Sequence, residues 1–141
     1  VIVHIDEGNN TEKITWFYKN IAEQNVKYDV IGLSYYPYWI KKDWTETIQD
    51  LQKNMNYLTK TYNKEVMVVE VGGEDTQVEN TYKLLEATIK AVRNVPNKKG
   101  TGVFYWEPQG AKSWSGYALS AWLENGKPSP ALDAFLEKDK K

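Results

Sequence analysis

The apolar positions of the chain follow two rhythms that take turns. Short runs of β-branched and aromatic residues alternate with longer stretches in which apolar residues recur every three or four positions. The first rhythm is that of a strand, whose side chains take opposite faces at each step, and the second that of an amphipathic helix. Val1-Ile2-Val3-His4-Ile5-Asp6 forms the first run and breaks at Glu7-Gly8-Asn9-Asn10. A helix capped by Asn10 or Thr11 is expected next, with Ile14, Phe17 and Ile21 on one face. The second run, residues 28–36, stops at Pro37, and the loop after it carries Tyr38 and Trp39. Trp44, Ile48, Leu51, Met55, Leu58 and Tyr62 then mark a long amphipathic helix.

The third run is Lys64-Glu65-Val66-Met67-Val68-Val69-Glu70-Val71, which ends in a carboxylate and breaks on Gly72-Gly73. A continuous apolar run of this kind reads as a parallel strand buried on both faces. Thr76-Gln77-Val78-Glu79 reads as a capping box for a helix with Val78, Tyr82, Leu85, Ile89 and Val92 on one face. Gly102-Val103-Phe104-Tyr105-Trp106 is the fourth run, closed by Glu107-Pro108. Beyond it the pattern predicts a short helical piece over residues 117–123, a break at Gly126, a last helix opened by Ser129-Pro130, and a frayed tail at 137–141.

Strand then helix, four times over, predicts parallel strands joined by right-handed crossovers. Eight such units close a barrel of roughly 250 residues, so the expected fold is α/β, a (β/α)4 half of a (β/α)8 TIM barrel. Residues 1–141 form a single unit on this reading. Alone, such a half exposes two sheet edges and an apolar inner face. A missing half or a second copy of the chain is therefore expected to complete it. The absence of an initiator Met before an apolar strand reads as a processed or cut chain. A flavodoxin-like open sheet is the alternative, although no Gly-rich phosphate loop follows the first strand.

Composition narrows the chemistry. A net charge of −1 favours neither nucleic acid nor an anionic membrane, and no apolar run reaches the length of a membrane span. Cysteine is absent and His4 is the single histidine, which removes thiolate catalysis and histidine-rich metal sites. No cofactor or metal is expected; Glu74, Asp75 and Glu79 are too ordinary an acidic group to read as one. Carboxylates remain as acid–base groups, beside 6 Trp and 10 Tyr that can stack on flat ligands.

Strict alternation can be followed through all four strands. It groups His4 and Asp6, then Ser34 and Tyr36, then Val66, Val68 and Glu70, then Phe104 and Trp106. Each set turns polar or aromatic at its C-terminal end, which is where strand–helix barrels keep their catalytic residues. A carboxylate there is not core packing, because an unpaired buried charge is costly. Each signal has a plainer reading: a strand histidine satisfied in the core, tyrosines and Trp106 as packing, Glu70 reaching solvent or a lysine. Together they describe a polar cup with an aromatic wall, which is what a sugar needs. Retaining glycosidases use a carboxylate nucleophile with a second carboxylic acid about 5–5.5 Å away.

Tyr28-Asp29-Val30-Ile31-Gly32-Leu33-Ser34-Tyr35-Tyr36-Pro37, Val68-Val69-Glu70 and Gly102-Val103-Phe104-Tyr105-Trp106-Glu107-Pro108 resemble the late strands of glycoside hydrolase family 53, the endo-β-1,4-galactanases that act on arabinogalactan. His4-Ile5-Asp6 and the segment from Trp114 through Leu119 to Leu132 are also similar. The resemblance implies barrel strands five to eight, retaining chemistry, β-1,4-galactan or its oligosaccharides as ligand, and an extracellular or cell-surface setting. By motif, Glu70 would be the nucleophile and Tyr36 its partner. His4, Asp6, Ser34, Trp39, Trp106 and Trp114 would line the sugar site.

Two departures accompany the resemblance. The family's acid/base, a glutamate after asparagine at the end of strand four, has no counterpart in this sequence, so the chain alone is expected to be inactive. Val71-Gly72-Gly73-Glu74 stands where the family more often has a polar loop, which leaves the exact substrate open. A non-catalytic sugar-binding or structural half-barrel, and another β-glycosidase of the same clan, are the competing readings.

Overall fold

The two rhythms of the sequence become four strands and three long helices. The computed structural model describes residues 1–110 and 112–136, the side chains of Lys112 and Trp114 excepted. The expected tail at 137–141 lies outside the described residues. Strands β1 (Ile2–Ile5), β2 (Val30–Tyr35), β3 (Glu65–Val71) and β4 (Gly100–Tyr105) alternate with helices α1 (Thr11–Glu23), α2 (Trp44–Tyr62) and α3 (Val78–Arg93). All strand pairs are parallel and the sheet order is β1-β2-β3-β4. A doubly wound sheet reverses its strand order at a switch point. A strictly sequential order with the helices on one face is that of a barrel segment, and the flavodoxin-like alternative falls. No helix among the described residues is long and apolar enough to cross a membrane.

Local signals start the helices. The Asn10 side chain accepts from Lys13 N at 3.1 Å and caps α1 as expected. Asp43 and Glu46 form a reciprocal capping box at the start of α2. The box expected over residues 76–79 does not form. Helix α3 begins one residue later than that motif requires, and Gln77 holds the cap position without a side-chain bond.

The core lies between the sheet and the helices. Ile31, Leu33 and Tyr35 of β2 and Val66, Val68 and Val71 of β3 are fully buried against Ile14, Tyr18, Leu51, Met55, Leu58 and Leu85. Each large apolar side chain removed from water there contributes about 1.5–3 kcal/mol. Tyr18 was not part of the expected α1 stripe. Its hydroxyl donates to the Val3 carbonyl at 2.7 Å and to that of Gly32 at 3.1 Å, so its buried polar end is satisfied. Asn54 of α2 reaches the β1–α1 loop, donating to Gly8 O and accepting from Thr11 Oγ1, both at 2.9 Å.

Three expectations need correction. β3 is buried on its helix side only; across the sheet, Met67, Val69 and Glu70 are partly open. Strict alternation also fails within β3. Val66 and Val68 face the helices, and Glu70 does not share their side. Leu33 pairs with Val68 but Ser34 pairs with Glu70, so Val69 is one extra residue on β3. Such a bulge resets the alternation and turns Glu70 to the face of Ser34. Finally, residues 117–123 form turns rather than a helix, and the short α4 (Lys112–Ser115) comes before them. The backbone of Ala121 is held from both sides, its N–H by Pro108 O at 3.1 Å and its carbonyl by Ser129 N at 2.7 Å. These bonds to distant residues take the place of helical ones. The last expected helix is present as a 3-10 turn over Pro130–Phe135, with Ala131 N donating to the Ser129 hydroxyl.

The face of the sheet away from the helices is open. Ile2, Phe104 and Trp106 stand there with 46%, 59% and 52% of their surface exposed.

Candidate active site

The site is assembled from the C-terminal ends of the strands on this open face. β1 and β2 approach closely because position 32 is glycine. A Cβ there would sit 2.8 Å from Ile2 Cγ2 and 3.3 Å from His4 Cβ. His4 leans across to β2, where Nε2 lies 2.6 Å from the hydroxyl of Ser34, a residue only 2% exposed. Its other ring nitrogen, Nδ1, is 4.0 Å from Glu70 Oε1. The second carboxylate oxygen, Oε2, accepts from the Tyr36 hydroxyl at 3.3 Å. His4, Ser34, Tyr36 and Glu70, chosen from four places in the sequence, thus form one connected cluster.

The Tyr36 hydroxyl also lies 3.5 Å from the carbonyl oxygen of Trp106, the residue that follows β4. Burial first, then the Tyr117 hydroxyl, then the Glu70 carboxylate hold the Tyr36 phenol well above the usual tyrosine range. Tyr36 therefore keeps its proton and acts as a donor across neutral pH. Tyr117, two residues after the end of α4, donates to the Trp106 carbonyl at 2.8 Å. It too is pushed upward, chiefly by burial. The Trp106–Glu107 peptide bond is cis.

Gly72 and Gly73 have a structural reason at this position. A Cβ on Gly72 would meet the Trp106 carbonyl oxygen at 3.0 Å, and one on Gly73 would meet Thr81 Oγ1 at 2.5 Å. Trp106 N donates to Val71 O at 3.0 Å, so β4 closes directly over the end of β3.

Other expected site residues are placed less centrally. Asp6 is paired with Lys13 of α1 at 2.6 Å, and the same ammonium reaches Glu7 at 3.0 Å. The bond to Asp6 leads the interactions that hold Lys13 above its usual range. Trp39 sits on a 3-10 turn, Pro37–Ile40, with its ring edge-on to Tyr38 at 4.7 Å. The side chain of Trp114 lies outside the described residues. Glu107 turns toward Gly110, where an added Cβ would fall 3.2 Å from its Oε1, in keeping with its place opposite Trp106 in the alternation.

Tyr117 escaped the sequence reading because it was assigned to a helix that does not form. Gly116, at φ 73°, reverses the chain and returns Tyr117 to the Trp106 carbonyl. Gly116 before an aromatic residue was the signal available. Among the described residues no three histidine or acidic side chains converge to hold a metal ion. A groove of about 490 Å³ between α2 and α3, lined by Trp44, Ile48, Lys83 and Lys90 among others, lies on the helical side, remote from Glu70.

Known proteins resemble the chain in sequence and in fold. The chain is 30% identical over 131 residues to an uncharacterised protein of the bgaB 5′ region of Niallia circulans, covering 77% of this chain and 34% of that protein. It is 28% identical over 127 residues to an arabinogalactan endo-beta-1,4-galactanase of Thermothelomyces thermophilus, covering 77% and 37%. Among solved structures, a fungal beta-1,4-galactanase superposes with a TM-score of 0.76 at 26% identity, covering 95% of this chain and 46% of that one. The chain thus spans about a third of the length of these relatives and just under half of that structure. The sequence profile described as glycosyl hydrolase family 53 matches residues 1–135, from the strand that carries His4 to the 3-10 turn that closes the fold. With the sheet order of a half-barrel and a carboxylate at the end of its third strand, the chain belongs to glycosyl hydrolase family 53.

Proposed function

We propose that this chain supplies the nucleophile half of a retaining glycoside hydrolase that cleaves β-1,4-galactan. The observation that carries the reading is Glu70, presented by a bulge on the open face and bonded by Tyr36 beside His4. In a double displacement, one Glu70 oxygen attacks the anomeric carbon while the glycosidic oxygen departs with a proton. The resulting glycosyl ester is then opened by water, which regenerates the carboxylate. Tyr36, kept protonated by its surroundings, orients the carboxylate. Its bond is strongest while the carboxylate is charged, before attack and again as the ester breaks. His4, fixed by Ser34, lines the same cup, and the half-exposed indole of Trp106 offers a flat apolar surface to the sugar ring. Asp6 and Trp39 are assigned to the outer part of the sugar path.

The proton donor is assigned to a segment outside these 141 residues, in the half of the barrel that this chain does not contain. General acid catalysis typically supplies about 10²–10⁴-fold, so the chain by itself turns over galactan negligibly. Action on a polysaccharide also places the complete enzyme outside the cell or at its surface. The test is covalent trapping of the complete enzyme with an activated 2-deoxy-2-fluorogalactoside, followed by peptide mass spectrometry. The label is expected on the peptide holding Glu70. A label elsewhere takes the nucleophile role from Glu70, and galactan bound without cleavage or labelling leaves a sugar-binding module.

A further inference from the structure

Resting on the role of Glu70 above, we propose that Tyr117 is a positioning residue that keeps the Tyr36 proton on the nucleophile. Tyr36 has one hydroxyl proton and reaches two acceptors at nearly equal length, Glu70 Oε2 at 3.3 Å and the Trp106 carbonyl at 3.5 Å, while the neighbouring Tyr117 hydroxyl also acts on it directly. Left alone, that proton would divide between them. The Trp106 carbonyl is already engaged at 2.8 Å by the Tyr117 hydroxyl. A carbonyl that has accepted one good hydrogen bond draws a second, longer one less strongly, so the balance at Tyr36 moves toward the carboxylate. Glu70 itself is charge-assisted as an acceptor, which adds to the same direction.

Tyr117 reaches this position by a built path. Gly116 takes a left-handed φ of 73°, and Tyr117 N donates to the Ser115 hydroxyl at 3.0 Å, so the turn is set from both sides. The Ser115 hydroxyl in turn donates to Gly110 O at 2.9 Å, which ties the turn back to the loop after β4. Tyr117 does not bond Glu70. Its influence passes through Tyr36 and through the carbonyl they share.

That route gives a distinctive kinetic signature. Tyr117→Phe keeps the ring and removes the hydroxyl, and in the complete enzyme acting on β-1,4-galactotetraose it should lower kcat by about 5–10-fold, the worth of one modest hydrogen bond. KM should stay within about twofold. In a Tyr36→Phe background the same substitution should change kcat little, because the proton it steers is gone. Equal losses in both backgrounds, an unchanged kcat in Tyr117→Phe, or a loss confined to KM would overturn the proposal. Melting temperatures of the four proteins check that the fold is common to all. Glu70→Gln in the same series separates the two levels: if it keeps near-normal rates the nucleophile reading falls with its consequence, whereas its inactivity beside additive tyrosine effects removes only the role of Tyr117.

Discussion

The two faces of the sheet are made from the same strands and obey different rules. On the helix side, Ile31, Leu33, Tyr35, Val66, Val68 and Val71 are wholly buried and packed into one core. On the open side lie the residues to which we assign the chemistry, His4, Ser34, Tyr36 and Glu70, with Phe104 and Trp106 exposed around them. Packing energy accrues on one side, and the proposed reactivity lies on the other. A strand is therefore read twice, and the two readings can be perturbed separately.

The sharpest way to break the comparison is Glu70→Gln. In the complete enzyme, hydrolysis of galactan should fall by at least about 10³-fold, as expected when a covalent nucleophile is lost. The urea midpoint should move little, since Glu70 is not part of the core. A large loss of stability would mean that the faces are not separable. Leu33→Ala tests the opposite side. It should cost about 2–5 kcal/mol in urea denaturation, as large-to-small core changes do, and any effect on rate should track unfolding rather than chemistry.

Asp43 gives a smaller effect with a pH signature. Bonding to the Thr45 hydroxyl leads the interactions that hold its carboxyl below the ordinary 3.8. A carboxyl that is depressed on folding contributes stability present above its unfolded value and lost as pH falls through the folded one. Asp43→Ala should therefore cost about 1 kcal/mol at neutral pH, the usual worth of an N-cap. The gap to the parent should close below about pH 3.8 in thermal melts, from the shift described for Asp43. The smallest effect is expected for Phe104→Ser on the open face. It should change stability by less than about 0.5 kcal/mol, in line with exposed substitutions, while light scattering shows less self-association of the isolated chain.

Much of this division was legible in the chain itself. The helix stripes, the Asn10 cap and the four parallel strands follow from periodicity and punctuation, because these are local properties. The strand ends that carry His4, Ser34, Tyr36 and Glu70 were legible as well, although strict alternation put Glu70 on the side of Val66 and Val68. What failed was non-local. The alternation of β3 depends on how many residues its neighbours bring, and neither Val66 nor Val68 reports that. Residues 117–123 are held by bonds to Pro108 and Ser129, partners that no short window contains, and Tyr117 was lost with them.

The extra residue in β3 has an engineering corollary. Because Val69 has no partner on β2, the heading of the Glu70 carboxylate is governed by residue count rather than by residue identity. A redesign that irons the strand into regular pairing at its present length would swing that acid into the hydrocarbon layer, with every side chain of the cluster nominally preserved. Excising Val69 would restore its pairing with β2 and still leave the acid on the open face.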